Sequence, residues 1–187
     1  EGLASADRRA NDRLLAGAGA RNVGGTTLYR LVSVADTAAW QDHLARHHRA
    51  HYDAVTITHN ETSTGVTNDV AALVKVIRDE APDALVLVDA VSSLGGIPVE
   101  LDAWGADVCF ASVQKAIALP PGITVVAVSD QAFERAKKHP YRGTYFDFLA
   151  YKKSADDDSV PSTPSIPHFY ALAAQLGVRA AASHADF

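Results

Sequence analysis

The sequence has 187 residues, of which 48% are hydrophobic and 21% charged, a composition that is typical of a folded globular protein and excludes a disordered chain. The formal net charge of −5 disfavours general binding to nucleic acids or anionic membranes, because phosphate groups attract clustered Lys and Arg. No apolar run reaches the roughly 18 residues of a membrane span, and the polar N-terminus is unlike a signal peptide.

The cysteine and methionine content bears on the cellular compartment and on whether the sequence is a whole protein. Cys109 is the single cysteine, which excludes an intramolecular disulfide. Because it lies in an apolar run, we expect a buried side chain and not a nucleophile. A reducing, cytoplasmic setting is predicted, with small-molecule or protein partners and no nucleic acid or membrane. The chain begins at Glu1 and contains no methionine, so we expect it to be part of a longer protein.

The N-terminal part predicts two helices, a loop and a strand. Ser5 is a suitable N-cap for a helix to about Leu15, and the Gly-rich residues 17–25 predict a flexible loop. A phosphate-binding loop needs a strand before it and a helix after it. Here a strand-like run, 28–34, follows the loop, so phosphate binding is disfavoured. Asp36 then predicts the start of the second helix.

The second predicted helix contains histidines at a metal-binding spacing. His43 and His47 are one helical turn apart, and His48 and His51 are nearby. No carboxylate or cysteine completes a recognisable ligand set, and histidines are common on solvated helix faces. We therefore predict no metal site.

Strands and helices alternate in the central part of the chain. Apolar runs predict strands at 54–59, 85–89, 107–113 and 123–129. An apolar face with helical spacing predicts a helix that ends before Pro82, with Val70, Leu73, Val74 and Ile77 on that face. Asp130 predicts the cap of a short helix that ends before Pro140. The alternation predicts an α/β fold with a mostly parallel sheet flanked by helices.

The C-terminal part differs from the central part in amino-acid composition. Residues 141–167 are rich in aromatic residues, charges and proline, and they show no clear periodicity. They predict an ordered or semi-ordered excursion, followed by a final helix from about His168. We expect one incomplete domain over residues 1–187, with its core motifs in residues 53–130.

Polar groups follow three of the predicted strands, where each strand ends. The segments are THNETSTG (58–65), VDAVSS (88–93) and SVQKAIALPPG (112–122). In a parallel sheet such ends lie at one edge, so hydroxyl groups, the Asp89 carboxylate and the Lys115 amine are expected to converge. The run before Asp89 predicts a strand buried on both faces, where a charge needs a partner or a ligand.

A lysine and a carboxylate at these positions suit one cofactor. Partial burial of Lys115 would favour the neutral amine that forms Schiff bases. Asp89 could hold a proton on a pyridine nitrogen. Pyridoxal phosphate needs both groups, one as its anchor and one as the ionic partner that keeps its ring an electron sink.

The three segments resemble the signature motifs of a known family. HNETSTG, VDAVSSLGG and QKAIALPPG are similar, in this order, to segments of class V aminotransferases, which are fold type I pyridoxal-phosphate enzymes. The resemblance is greatest to the alanine/serine–glyoxylate aminotransferase branch, and it covers about Asp53 to Leu176. It implies part of the fold type I large domain. It also implies transfer of an amino group from a small amino acid to a 2-oxo acid such as glyoxylate or pyruvate.

The resemblance implies a role for each matching residue. Lys115 would be the Schiff-base lysine and the proton carrier, and Asp89 would pair with the pyridinium nitrogen. Val91 would pack on one face of the ring. Thr62 would hydrogen-bond the ring 3-hydroxyl, and Gln114 would contact the phosphate.

The resemblance also implies a homodimer. Thr163, in the excursion 141–167, matches a threonine that reaches the phosphate of the neighbouring subunit. Two departures from the family pattern stand beside these matches, one directly before Gln114 and one three positions before Thr163. Val113 stands where relatives usually have Ser or Pro, with Ser112 one place earlier, and Val160 replaces an aromatic residue that makes a second cross-subunit contact.

Two alternatives remain open. Family members are longer, and their phosphate loop, stacking aromatic ring and substrate arginine are not identifiable here, so the chain could be a non-catalytic fragment or a truncated relative. It could also be a class V lyase or desulfurase. However, those relatives usually have a histidine where this chain has Gln114, and desulfurases use a mobile cysteine unlike Cys109. The amino donor is not determined.

Overall fold

The computed structural model describes residues 22–23, 26–27 and 52–185. Along these residues the elements are β1 (Asn22–Val23), β2 (Thr26–Thr27), β3 (Ala54–Thr58), β4 (Asn60–Glu61), β5 (Val66–Thr67), α1 (Val70–Glu80), β6 (Leu85–Asp89), α2 (Leu101–Trp104), β7 (Val108–Ser112), β8 (Thr124–Val128), α3 (Asp130–Lys138), α4 (Phe148–Asp156) and α5 (Ile166–Ala185).

Several predictions from the N-terminal part lie outside the described residues. These are the helix from Ser5, the strand at 28–34, and the helix from Asp36 with its histidines. The Gly-rich segment predicted as a loop contains β1, which pairs antiparallel with β2.

The chain divides into two compact units. The first contains the described residues up to Asp89 together with Glu100–Ala106. The second contains Ala90–Val99 and the described residues from Asp107 onwards. The expectation of one incomplete domain over residues 1–187 stays a prediction.

The first unit contains a parallel pair of strands. β3 and β6 pair in register, and Thr58 lies opposite Asp89 at their ends. Burial alternates along both strands, as the two-residue period of a β-strand requires, and Val86 and Val88 are completely buried. The alternate residues of β6, including Asp89, are half-buried. The expectation of a strand buried on both faces was therefore wrong, because the second face is only partly covered.

Helix α1 buries the apolar face that its sequence predicts. The carboxylate of Asp69 caps the helix by accepting a hydrogen bond from the N–H of Ala72 at 3.0 Å. The predicted residues of the face, Val70, Leu73, Val74 and Ile77, are all buried. Burying one such side chain contributes about 1.5–3 kcal/mol, so this face accounts for most of the helix's stability. The helix ends at Glu80, before Pro82, as predicted.

The second unit contains an antiparallel pair of strands. β7 and β8 run in opposite directions, with Val108 opposite Val128. The connection 113–123 contains no helix, whereas a parallel crossover needs about a dozen residues or more and usually a helix. Cys109, in β7, is buried as predicted.

The caps of two helices differ from the sequence predictions. Helix α3 is capped by Ser129, whose hydroxyl accepts a hydrogen bond from Ala132 N–H at 3.1 Å. Asp130 was wrongly expected as the cap, and it is the first helical residue because Ser129 still has extended backbone. Helix α5 begins at Ile166, close to the predicted start at His168.

Helix α4 lies inside the excursion 141–167, where no helix was expected. Asp147 caps it by accepting a hydrogen bond from Leu149 N–H at 3.0 Å, and Arg142 Nε lies 3.0 Å from the same carboxylate. Burial acts to raise the pKa of Asp147, but its hydrogen bonds to Arg142 and the backbone outweigh burial and lower that pKa overall.

Among the described residues, no helix is long and apolar enough to cross a membrane.

Candidate active site

Asp89 stands at the C-terminal end of β6 in the first unit. Its backbone carbonyl accepts a hydrogen bond from the N–H of His59 at 2.9 Å, which extends the pairing of β3 and β6 by one residue. The carboxylate-bearing residue is half-buried. The strand pairing therefore fixes the backbone from which the Asp89 side chain projects, at the sheet edge where ligands of α/β proteins bind.

Thr62 begins the turn between β4 and β5. These two short strands form a hairpin, and Gly65 N–H donates to the Glu61 carbonyl at 2.8 Å. Gly65 has φ +70, a left-handed conformation that glycine adopts without steric cost. The hydroxyl and the N–H of Ser63 donate to the Glu61 carboxylate at 2.6 and 2.9 Å. The hydrogen bond from the Ser63 hydroxyl is the main cause that lowers the pKa of Glu61. Thr62 is exposed on this braced turn.

His59 and Asn68 support the end of β3. The amide Nδ2 of Asn68 donates to the Thr58 carbonyl at 2.7 Å, and its backbone N–H donates to the His59 carbonyl at 2.8 Å. The His59 ring packs edge-on against Trp104, with ring centroids 5.0 Å apart. Burial lowers the pKa of His59 and favours its neutral form.

Lys115 and Gln114 lie in the turn that follows β7 in the second unit. Two backbone hydrogen bonds close the segment Val113–Leu119: Ala118 N–H to the Lys115 carbonyl at 2.9 Å, and Leu119 N–H to the Val113 carbonyl at 3.0 Å. Both side chains are exposed, so the partial burial expected for Lys115 is not found, although Val113 and Ile117 of the same turn are buried in the core. The exposed amine is open to a ligand from solution.

Val91 lies in a second turn of the same unit. Its neighbour Ala90 donates to the Phe110 carbonyl of β7 at 2.9 Å, and Leu94 N–H donates back to the Ala90 carbonyl at 2.9 Å. Gly96, at the end of this turn, is packed so closely that a Cβ there would meet Ala116 Cβ at 3.1 Å. The structure therefore brings the Val91 turn and the Lys115 turn together.

The remaining predicted site residue, Thr163, lies between α4 and α5. It is exposed and precedes the first residue of α5 by a short Pro-Ser segment. The structure thus describes all six predicted residues. Thr62 and Asp89 belong to the first unit, and Val91, Gln114, Lys115 and Thr163 belong to the second.

The donor set on these turns matches the chemistry of pyridoxal phosphate. An exposed primary amine can bond to an aldehyde, a half-buried carboxylate can hold a proton on a pyridine nitrogen, and hydroxyl and amide groups can bind phenolic and phosphate oxygens. The residues present therefore fit this cofactor.

A family model described as Aminotransferase class-V matches residues 13–185 of the sequence. The chain belongs to the class V aminotransferases. The match confirms the family that the three motifs indicated. It also extends on both sides beyond Asp53–Leu176, the range that the motif resemblance covers.

Individual relatives agree with this assignment. An uncharacterized aminotransferase of Methanocaldococcus jannaschii is 46% identical over 121 residues, which are 64% of this chain and 31% of the relative. Serine–glyoxylate aminotransferase of Arabidopsis thaliana is 40% identical over 124 residues, which are 66% of this chain and 31% of the relative.

A solved structure confirms the fold. The structure of an alanine–glyoxylate aminotransferase from Nostoc sp. superposes with a TM-score of 0.68 at 28% identity, over 76% of this chain and 37% of that chain. The predicted class, part of a fold type I pyridoxal-phosphate transferase, is thus confirmed. The chain spans about a third of the length of the class V relatives that it matches.

Proposed function

We propose that this chain is the core of the cofactor domain of a pyridoxal-phosphate-dependent aminotransferase. The enzyme would transfer an amino group from a small amino acid, such as alanine or serine, to a 2-oxo acid such as glyoxylate or pyruvate. The observation that carries the proposal is the exposed Lys115 on a closed turn after β7, in a chain of this family. The choice of substrates is supported by the relatives named for serine and alanine with glyoxylate.

The proposed roles of the site residues follow from their chemistry. When bound, pyridoxal phosphate supplies an electron-withdrawing ring that makes the Cα–H of an amino acid acidic. Asp89 would hold a proton on the pyridine nitrogen and so keep the ring electron-withdrawing. Val91 would pack against the ring face, Thr62 would donate to the 3-hydroxyl oxygen, and Gln114 would donate to the phosphate.

Lys115 would have two functions in turn. Its Nζ would first hold the cofactor in place covalently. Once an amino acid takes that position, the freed amine would remove the proton from the substrate Cα as a general base and then, as a general acid, give it to the C4′ carbon of the cofactor. This use requires an amine close to the reacting atom, and the two backbone hydrogen bonds of the turn fix the backbone from which Lys115 projects.

We further propose a cytoplasmic homodimer in which Thr163 reaches the phosphate of the neighbouring site. Large apolar side chains on both sides of Thr163 are exposed, including Phe146 at 80% and Tyr170 at 76%. Exposed apolar area of this kind marks interaction surfaces. A second copy of the chain is the occupant that the proposal commits to.

The lyase or desulfurase alternative has less support. The only cysteine, Cys109, is 6% exposed and lies inside β7, so it cannot act as a mobile sulfur acceptor without unfolding the strand. Gln114 stands where those relatives usually have a histidine. The non-catalytic alternative is decided by the experiment below.

The proposal predicts a cofactor bond at one lysine. Pyridoxal phosphate is added to the purified chain, absorbance is recorded from the near ultraviolet into the visible, and the sample is treated with borohydride and digested. We expect a new absorbance band and, by mass spectrometry, one reduced cofactor on the peptide that contains Lys115. Lys115→Ala should lose at least nine-tenths of the band. An amine held beside the bound aldehyde reacts at least about tenfold more readily than lysines that meet it only by diffusion.

The control is Lys138→Ala, which removes an exposed lysine at the end of α3 in the same unit. This variant should keep both the band and the modified Lys115 peptide. Cofactor distributed over many lysines, with an equal band in Lys115→Ala, would contradict the assignment. No band in any variant would favour the non-catalytic fragment.

A further inference from the structure

Polar side chains form one stripe along α5. Residues 168, 175 and 179 fall on nearly the same face, because an α-helix has 3.6 residues per turn. Each side chain reaches a backbone carbonyl of an earlier turn in the second unit. These contacts join His168 Nε2 to the Pro121 carbonyl (3.2 Å), Gln175 Nε2 to the Ile117 carbonyl (3.0 Å), and Arg179 to the Ala116 and Gly95 carbonyls. We call these three residues the α5 clamp.

Arg179 joins the two turns that carry predicted site residues. Its Nη2 donates to the carbonyl of Ala116, the residue directly after Lys115. Its Nη1 donates to the Gly95 carbonyl at 2.5 Å, in the turn that begins with Val91. A planar guanidinium can donate in two directions at fixed geometry, which a lysine cannot do. One side chain therefore sets the spacing between the two turns.

The packing around this contact requires small residues. Gly95 has φ +86, and a Cβ there would lie 3.3 Å from Arg179 Nη1. The Nε atom of Arg179 is buried without a hydrogen-bond partner within the described part of the chain. Burying a polar nitrogen in this way is unfavourable. The two bonds made by the other nitrogens must therefore outweigh that cost in the folded unit.

The Lys115 turn depends on these donors because it contains no regular structure. Its own two backbone bonds use the carbonyls of Val113 and Lys115 and leave those of Ala116 and Ile117 to side chains of α5. Ala118 adopts φ +63, a left-handed conformation that is strained for alanine. Such a conformation persists only where surrounding contacts hold it.

We propose that Arg179 and Gln175 are positioning residues for Lys115. They hold the carbonyls of the two residues that follow it and so fix where the Lys115 amine projects. The inference rests on the proposed function, because it assigns a purpose to the placement of Lys115. It concerns α5 side chains that belong to none of the three signature segments.

The clamp itself is tested by amide hydrogen exchange without any cofactor. Arg179→Met keeps the length of the side chain and removes its donors. Exchange of the Ala118 and Leu119 N–H groups, which close the Lys115 turn, should become about ten- to a hundredfold faster, since hydrogen bonds to charged groups are worth that factor. Arg179→Lys should lie between Arg179→Met and the parent, because its ammonium group keeps a charge and N–H donors but lacks the fixed fork that reaches both carbonyls.

The matched control is Arg142→Met. Arg142 also donates to a carbonyl, that of His139 at 3.0 Å, and to a carboxylate, that of Asp147. These contacts lie outside the two turns, so the exchange of Ala118 and Leu119 should not change. Thermal unfolding of both variants, followed by circular dichroism, reports on any general loss of structure.

The positioning role is tested by cofactor capture at Lys115. The rate at which pyridoxal phosphate becomes fixed on the Lys115 peptide, and the pH dependence of the absorbance band, should change in Arg179→Met and Gln175→Met but not in Arg142→Met. Partial recovery in Arg179→Lys would support a positioning role and not a general structural one.

Two outcomes would separate this inference from the proposed function. If the parent chain captures cofactor at Lys115 and Arg179→Met matches it in capture rate, absorbance band and amide exchange, the inference is wrong while the proposed function stands. If the parent shows no Lys115 capture although exchange depends on Arg179, the proposed function is wrong, and the positioning role with it.

Discussion

At the scale of single residues, His59 is the clearest case of a titratable group controlled by the fold. It is 5% exposed, packs edge-on against Trp104, and has both backbone groups in hydrogen bonds. Burial penalises the charged imidazolium, so the pKa of His59 is lowered relative to the unfolded chain, where it is about 6.5. The folded chain therefore binds fewer protons than the unfolded chain in the acidic range.

The consequence is a loss of stability on acidification. The contribution of neutral His59 is fully present above about pH 6.5 and is lost as the pH falls through the folded-state pKa. One proton changes the free energy of unfolding by at most about 1.4 kcal/mol per pH unit. Urea unfolding of the parent and of His59→Phe between pH 5 and pH 8 should show a shallower pH dependence in the variant. The difference between the two proteins isolates the contribution of His59.

The control for this measurement is His139→Phe, which replaces an exposed histidine at the end of α3. This variant measures the general effect of replacing a histidine by phenylalanine, and the change in slope in His59→Phe should exceed it. Equal slopes in the parent and in His59→Phe would show that His59 is protonated as readily in the folded chain as in the unfolded chain.

At the scale of elements, α5 offers a pair of glycine substitutions with opposite expected effects. Gly177 lies inside the helix, is exposed, and has nothing within 4 Å of the position that a Cβ would take. Replacing it with alanine removes backbone freedom from the unfolded chain and should stabilise the protein by about 0.5–1 kcal/mol. Thermal or urea unfolding at constant pH measures this gain.

Gly122 is the contrasting position. A Cβ there would collide with the His168 ring, which begins the α5 clamp and contacts the Pro121 carbonyl at 3.2 Å. Gly122→Ala should therefore destabilise the protein, by about 1–3 kcal/mol as for other overpacked sites. If both alanine variants shifted stability in the same direction, the placement of α5 against the Pro121 segment would be in error.

The elements also show where sequence patterns are sufficient. Helix α1 was predicted with its buried residues because a strongly apolar face repeats at helical spacing. Helix α4 was missed because its residues are mostly exposed and its sequence has no such face. The available signals were the capping residue Asp147 and the Lys–Asp pairs at i, i+4, Lys152 with Asp156 and Lys153 with Asp157. Such pairs contribute only a few tenths of a kcal/mol each and are weak indicators alone.

For the candidate site, the sequence indicated the residues that carry reactive groups but not the residues that support them. The three motifs fixed which residues to examine, because each follows an apolar strand and carries a reactive group. The roles of Asn68 and Arg179 were not predictable, because the side chain of each donates to a backbone carbonyl that is brought near only by the folded chain. Contacts between distant segments leave no local periodicity in the sequence.

At the scale of the whole molecule, the exposed aromatic residues on both sides of Thr163 in the sequence lead to a prediction about assembly. Phe146 and Tyr170 are 80% and 76% exposed, although aromatic side chains of this size are normally well buried. We expect the purified chain to form a dimer whose fraction rises with concentration in sedimentation velocity. The double variant Phe146→Ser with Tyr170→Ser should weaken dimerisation at least tenfold, since burial of each such ring contributes about 1.5–3 kcal/mol.

The assembly experiment needs a control that removes apolar area elsewhere in the second unit. Ile97→Ser serves, because Ile97 is 41% exposed and lies outside the segment 141–170. This variant should dimerise like the parent. A parent chain that remains monomeric at every concentration would contradict the proposed dimer for this chain. A longer protein that contains this chain could also be tested. If it dimerised and the double variant had no effect, other parts of that protein would cover Phe146 and Tyr170. Thr163 would then not reach the neighbouring site through these residues.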